Sequence, residues 1–599
     1  MTALSERLSN LKESFLLMRV LLAFAGVVGA LSIYLATSAE MAAEIVRYGG
    51  YWFVLAAFAG LVAYGVYLLR EEGSRFLSVL RRLGGPFVIF FLVCLGLCFV
   101  HADFGPKVMM DDAILISTAK NLHQTREVFT PTFGRWVYND FSHFDGYVDK
   151  RPLLYPFAVS LLHDLSGYRA ANPYILNALC GVLLLGGFSL LGYLSSGRKG
   201  AYLMPLLWMS IPLFAQNATG GGMDLINLVM IVGVILLSVL YWRRLDSRSE
   251  GALALAGVLL AQGRYESPLF LLPVAMVIII GWLRAGRVIV SAGTILAAPL
   301  LLGLLLQNKF FAQSEALWEL HSGAETPFAL ANAPENLLRA LHFYFNMGDA
   351  YANSLWVAVL GFPALVFFAI YLLREWRKLS VVRPAHIIIG LFGFFLFVHM
   401  AVIVCYHDGK LDRLFASRFA LPFYLLLTAS IVVVLEGFSR KATIWRAAGV
   451  GTLLFVVSFT LPMNAKGVFT RRNYVANEIA WMQSVADREF EPRCLVIDIY
   501  TIPWTIREVS SLSPLQAYAN AVRIDEDLQS GKFSAMYLIE RREFTIEGNA
   551  SHVLPSKFPA GVFAVELMAE HSFQPFKLTR IYRVTGVDRA AAERLLQSP

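Results

Sequence analysis

Apolar positions in this chain fall into long unbroken runs separated by short polar stretches, not into an alternation of single residues. Runs of about 17 to 25 residues, enough to cross a bilayer as helix, are centred near 15–38, 50–69, 86–101, 173–194, 200–215, 222–242, 288–306, 355–373, 385–404, 419–437 and 443–462. Residues 251–283 hold two shorter apolar pieces joined by QGRYES. The pattern predicts about 13 transmembrane helices. Two stretches, 102–151 and 307–354, are too long and too polar for turns and are expected as large loops.

From about residue 490 the pattern becomes that of a water-soluble domain. CLVIDIY and SAMYLIE read as buried strands, LSPLQAYANAVRIDEDLQ as helix-like, and GVFAVELMAEHSFQPFKLTRIYRV as a closing strand pair. The expected fold is therefore an α-helical polytopic membrane protein with a small C-terminal α/β soluble domain. No internal repeat or low-complexity tract stands out.

Composition agrees, with 57% of the 599 residues hydrophobic and 16% charged, against roughly 25% charged in soluble domains. The net charge of +8 is not gathered into a nucleic-acid patch. It falls in short clusters between apolar runs: RRLGG, SSGRKG, YWRRLDSRSE, WLRAGR, REWRKLSVVR and SRKATIWR. Basic loops of this kind stay on the cytoplasmic side. The N-terminus is then inside, and the loops 102–151, 307–354 and 405–418 and the region from about 465 lie outside. The first apolar run lacks a small-residue cleavage site and reads as a retained helix. The five cysteines are scattered, with neither metal-ligand nor disulfide spacing.

Within the first outer loop, VMMDDAILISTAKNL places Asp111 and Asp112 side by side at a membrane boundary. Ile114, Leu115, Ala119 and Leu122 form one stripe, as expected for a helix lying along the membrane surface. Asp111 then reads either as the helix N-cap, with Asp112 in the positive first turn, or as a functional carboxylate. The same loop ends in NDFSHFDGYVDKRPLLYPF, which brings His143, Lys150 and Arg151 to the same side. Further ionisable residues sit at apolar boundaries: Asp224, Arg264, Glu266, Asp412, Arg413 and Arg418. A charge near the bilayer centre costs about 2.5–3.5 kcal/mol on insertion scales, so these residues are candidates for function.

The pattern resembles a known superfamily. DDAILISTAKNLHQTREVF resembles the Asp-acidic-Ala motif and surface helix in the first outer loop of the glycosyltransferase-C superfamily. DKRPLLYPF resembles the basic-Pro-Leu-Tyr segment of its bacterial branch related to protein O-mannosyltransferases and to the lipid A aminoarabinose transferase. GGMDLINLVM resembles that branch's helix start carrying an Asp, and RFALPFYLLL its late Arg-aromatic-x-x-Pro helix. The resemblance covers roughly residues 86 to 440. It departs in three places: two helices precede the usual first one, the second acid is Asp rather than Glu, and Lys-Arg-Pro stands where Lys-Pro-Pro is more usual.

The resemblance implies an enzyme of the bacterial inner membrane that moves a sugar from a polyprenyl-phosphate carrier to a hydroxyl of a cell-envelope glycan, glycolipid or protein. Lipopolysaccharide is among the envelope acceptors it suggests. Residues 1–85 would be an added N-terminal segment with two helices, 86–465 the catalytic transmembrane domain, and 466–599 an extracytoplasmic α/β domain. The motif assigns the general base to Asp111, with Asp112 as second choice. The leaving lipid phosphate needs fixed cations, for which Lys150, Arg151, Arg264 and Arg418 are candidates. Asp224, Tyr265, Glu266 and His143 are candidates for orienting substrate.

Structural readings stand beside these roles. Arg264 also reads as a structural pair with Glu266, and Asp224 as an N-cap. HFDGYVD and CYHDGKLDR lack tight metal-ligand spacing, so no metal ligands are assigned and a divalent cation stays open as cofactor. The aromatics of 307–354 read as an interfacial belt, and the sequons at Asn217 and Asn549 matter only in a glycosylating pathway. A secondary transporter or flippase for lipid-linked sugars, or a non-catalytic assembly partner, are the alternative functions. The C-terminal region has no nucleotide-binding glycine loop, which weighs against a nucleotide-sugar donor.

Overall fold

The computed structural model describes residues 2–99, 104–313, 326–348, 351–375, 382–438, 441–465, 474–547, 550–553, 562–573, 577–588 and 590–591. The chain divides into two compact units, Met1–Gly105 with Lys150–Phe469, and Pro106–Asp149 with Thr470–Pro599. The first outer loop, expected within the transmembrane domain, thus forms one unit with the C-terminal region.

In the first unit, α1 (Thr2–Ala36) is followed by α2 (Ala39–Leu83) and α3 (Gly85–Phe99). Ser38 starts α2 by accepting the Met41 N–H at 3.2 Å, with Glu40 in the positive first turn. An apolar run over 50–69 suggested a shorter helix, but no proline lies between residue 69 and the helix end, and α2 runs for 45 residues, about 68 Å of helix. Gly84, with φ of 78°, ends it.

After α4 (Met109–Thr125) and the strands β1 (Thr130–Val137) and β2 (Asp140–Tyr147), which belong to the second unit, the first unit resumes. It continues with α5 (Leu154–Ser166), α6 (Asn172–Ser196), α7 (Arg198–Met209), α8 (Pro212–Ala218), α9 (Asp224–Arg244), α10 (Ser247–Ala261), α11 (Leu271–Ala285) and α12 (Ala292–Gln313). It closes with α13 (Ala333–Phe345), α14 (Leu355–Glu375), α15 (Pro384–Cys405), α16 (Leu421–Phe438) and α17 (Ala442–Phe455).

Among the described residues ten helices are long and apolar enough to cross a membrane. Three further expected runs are shorter helices: α3 and α10, of 15 residues each, and the α7–α8 pair, which breaks at Ser210–Ile211 with Pro212 in the first turn of α8. The two added helices are integral to the unit, since α1 and α2 both pack on α12 and α2 also packs on α10. Glycines allow close helix approach. A Cβ on Gly192 of α6 would lie 2.2 Å from the Gly200 carbonyl oxygen of α7. The most enclosed span is that of α16, with 83% of its apolar window buried.

The second unit is a mixed sheet with helices on both faces. Strands β3 (Leu495–Ile497), β4 (Ser510–Leu512), β5 (Met536–Glu547), β7 (Phe563–Phe573) and β8 (Lys577–Val587) lie in the order β4-β3-β5-β8-β7, and β6 (Ala550–Val553) pairs with β5. β3 is parallel to β4 and β5, while β8 is antiparallel to β5 and β7. Strand alternation divides the core. Leu495, Ile497, Met536 and Leu538 pack with Ala517 and Ile524 on one face. Cys494, Val496, Tyr537 and Ile539 pack with Ile479 and Met482 on the other. The strands and helices expected beyond residue 490 are thus present.

The first loop joins this unit through specific contacts. Ala113 and Ile114 of α4 pack on Ile502. Lys120 donates to the Ile506 carbonyl at 3.0 Å and pairs with Glu508 at 2.9 Å, and Trp136 Nε1 donates to the Glu508 carbonyl at 3.0 Å. The expected surface helix is instead buried from Asp112 to Leu122. Its second face carries Thr118, Lys120 and Asn121, whose polar atoms are hydrogen-bonded, so it needs no solvent.

Candidate active site

In the first unit, four of the expected residues meet. The glycine-rich turn before α9 is held by Asn177, whose Nδ2 donates to the carbonyls of Gly220 and Gly222 at 2.8 Å each. Asp224 comes next at the start of α9, but it does not cap the helix. The N-cap position is Met223, without a side-chain cap bond. The Asp224 carboxylate instead accepts from Arg264 and, at 3.4 Å, from Arg418. Capping gives way because a buried carboxylate gains more from two guanidinium groups than from its own helix start.

Arg264 comes from the break between α10 and α11, where Pro268 opens a single 3₁₀ turn, Ser267–Phe270. Its Nε donates to Glu266 Oε1 at 2.6 Å, and its guanidinium lies 4.8 Å from the centre of the Phe419 ring. Arg418 lies in a second 3₁₀ turn, Ser417–Ala420, and faces the same ring at 5.5 Å. His399 of α15 completes the cluster, with Nε2 3.2 Å from Glu266 Oε1.

Arg264, Asp224 and Arg418 are 4%, 5% and 6% exposed and His399 is fully buried. Two guanidiniums therefore face two carboxylates out of bulk water. A buried set of this kind is strongly coupled, since removing one member costs about 3–5 kcal/mol. The break is fixed from α9 as well. Ser267 Oγ donates to Asn227 Oδ1 at 2.7 Å, and a Cβ on Gly263 would lie 2.5 Å from that same oxygen, so a larger residue there displaces the Asn227 side chain.

The basic segment reaches the same break. The Leu154 N–H donates to the Gln262 carbonyl at 3.1 Å, and Gln307 of α12 donates to the Arg151 carbonyl at 2.7 Å. Tyr265 stacks on Phe311 at 5.5 Å, and Lys150 Nζ lies 5.9 Å from the same ring. Lys150, Arg151, Asp224, Arg264, Tyr265, Glu266 and Arg418 are thereby linked within one unit. His399, Phe419, Phe311 and Gln307 were not singled out from the sequence. His399 in FVHMAVIVC carried the only usable signal, an ionisable residue inside an apolar run.

Asp111, Asp112 and His143 belong to the second unit. Here the two acids exchange the expected roles. The N-cap of α4 is Val108, with no side-chain cap bond. Asp112, 1% exposed, turns back so that Oδ2 accepts the N–H groups of Lys107 at 2.8 Å and Val108 at 3.3 Å. The helix start is held by the second acid, and Asp111 occupies the first turn, partly buried. His143 is on β2, its ring edge-to-face with Phe141 at 5.6 Å. Burial, and then the charge of Lys120, hold its pKa below the ordinary histidine value.

Other candidates lie elsewhere. Asp412 accepts from Arg339 of α13 at 3.0 Å, and Arg413 pairs with Asp408 at 3.4 Å. Among the described residues no three His, Cys, Asp or Glu side chains are grouped to hold a metal ion. Asn217 donates to the Leu213 carbonyl at 2.7 Å within α8. Asn549 and residues 314–325 and 349–350 of the long loop lie outside the described residues.

No protein-family model matches the chain, and no curated protein matches its sequence. Among solved structures the chain is similar to ArnT from Cupriavidus metallidurans bound to undecaprenyl phosphate, at 13% identity and a TM-score of 0.48, over 83% of this chain and 98% of that one. It is similar to the apo state of the same protein, at 14% identity and 0.45, over 83% and 98%. It is also similar to the Archaeoglobus fulgidus oligosaccharyltransferase in complex with zinc and sulfate, at 12% identity and 0.44, over 76% and 67%. At such identity the likeness is one of chain trace and does not extend to substrate.

Proposed function

We propose that this protein is a membrane glycosyltransferase that moves a sugar from a polyprenyl-phosphate carrier to a hydroxyl of a cell-envelope glycan, glycolipid or protein. The reaction takes place at the outer face of a bacterial inner membrane, with the N-terminus cytoplasmic. The observation that carries the reading is the buried cluster of Arg264, Arg418, Asp224 and Glu266 beside the Lys150–Arg151 segment. A catalytic bundle that handles a lipid phosphate needs cations held in place before substrate arrives, and these arginines are held by carboxylates and a shared aromatic ring.

In the reaction the acceptor oxygen attacks the anomeric carbon and gives its proton to a carboxylate, the role that the outer-loop motif's resemblance assigns to Asp111. The bond from that carbon to the phosphate oxygen breaks, and its electron pair goes to the phosphate. Lys150 and Arg151 meet the phosphate as partly exposed cations, while Arg264 and Arg418, already paired with Asp224 and Glu266, serve as guanidinium hydrogen-bond donors held in place. Asp224 and Glu266 orient the two arginines. Tyr265 and His143 remain candidates for contact with sugar or acceptor, and Asp112 holds the start of α4.

The test uses purified full-length protein with a polyprenyl phosphate. Lys150→Gln with Arg151→Gln weakens binding by about tenfold or more, the scale of a lost hydrogen bond to a charged group. Asp111→Asn leaves that binding unchanged. Equal binding by wild type and the double variant contradicts the donor assignment. The charged break between α10 and α11 also suits a secondary transporter or flippase; lipid-linked sugar translocation in liposomes without any transfer would favour that reading.

A further inference from the structure

The first unit has a second feature at the other end of its helices. α16 leads away from the turn that carries Arg418 and ends at Phe438, and α17 begins at Ala442. The start of α17 therefore lies at the end of the bundle opposite the Arg264 cluster. α7 starts at that end too, directly after α6 finishes at Ser196.

Between these two helix starts is a groove of about 350 Å³. On α7 it is lined by Lys199, Tyr202 and Leu206, and on α17 by Trp445, Arg446 and Gly449. Spacings of three and four residues put each set on one face of its helix. The lining changes character along the groove. Exposed Lys199 and Arg446 stand at the mouth, with Lys199 Nζ 5.6 Å from the Trp445 ring. Tyr202 and Trp445 come next, and Leu206 and Gly449 lie one turn deeper. Tyr202 is fixed by Phe87 at 5.3 Å and Phe90 at 5.0 Å, both on α3. At Gly449 a Cβ would meet no heavy atom within 4 Å, so the deep end is open space.

We propose that this groove binds one anionic glycerophospholipid of the surrounding leaflet. The order of cations, aromatic rings and apolar floor matches that of phosphate, glycerol ester and acyl chain in such a lipid. Trp and Tyr rings favour the headgroup level of a bilayer, basic residues there attract anionic lipids, and two helix starts add their positive dipole ends. Basic loops mark this end as cytoplasmic, so the bound lipid is a structural ligand between α7 and α17 and not the sugar donor.

Native mass spectrometry of the full-length protein with added phosphatidylglycerol or phosphatidylcholine tests this. Wild type retains phosphatidylglycerol in preference to phosphatidylcholine. Lys199→Gln or Arg446→Gln weakens phosphatidylglycerol binding by about fivefold each, and the pair by roughly 25-fold. Both side chains are exposed, so these variants keep the fold. Gly449→Leu, which enters open space, reduces retention of both lipids. Equal retention of the two lipids by wild type, or undiminished phosphatidylglycerol in the charge variants and in Gly449→Leu, overturns the proposal. Binding of polyprenyl phosphate with no binding of phosphatidylglycerol overturns it as well.

Discussion

At the start of α4, Asp112 receives two backbone N–H groups that precede the helix, and Asp111 does not cap it. The acid motif was legible in the sequence, but its division of labour was not. The two neighbours are the same residue type, so residue type does not say which of them turns back. Asp112→Ala strands one buried and one partly buried donor and is expected to cost about 1–3 kcal/mol, read as a lower thermal midpoint for the second unit. Asp224 departs from its expected capping role for a similar reason: its partners lie 40 and 194 residues away in sequence, so only its local position at a helix start is visible. His143 supplies a pH prediction. Its folded pKa is lowered, so the unfolded chain binds more protons below the ordinary value of about 6.5. Stability contributed by the neutral ring is present above that value and falls as the pH drops through it. His143→Gln flattens this part of a melting-temperature profile against pH, and an unchanged slope contradicts it.

Elements were legible wherever a single periodicity ruled. Apolar runs marked the spanning helices, and the short apolar run CLVIDIY marked a buried strand, whose Leu495 and Val496 the structure places on opposite core faces. Helix ends were less legible, because an end depends on stop signals that hydropathy does not register. α2 passes beyond its apolar run to Gly84, and the α7–α8 run breaks at Ser210–Ile211. The close approach of α6 and α7 also lies outside hydropathy, since it rests on Gly192 and Gly200. Gly192→Val forces these helices apart and is expected to destabilise by about 1–3 kcal/mol in thermal unfolding of detergent-solubilised protein. A wild-type midpoint would show that the contact is slack.

At the scale of the whole molecule, the sequence showed a helical membrane region followed by an α/β domain, but not that the first outer loop belongs with the latter. The contacts that decide this span almost the full chain: Lys120 with Glu508 is 388 residues apart in sequence, beyond the reach of any local pattern. The candidate site is likewise assembled from separate loops and turns, and its motifs were visible only as short pieces. Its chemistry is tested most directly by mass spectrometry of cell-envelope lipids and glycans from cells with the gene, without it, and with it carrying Asp111→Asn. Loss of a general base lowers the rate by about 10²–10⁴. The account predicts that one sugar modification disappears on deletion, returns with the wild-type gene and does not return with the variant. An unchanged envelope on deletion, or full restoration by Asp111→Asn, would contradict it.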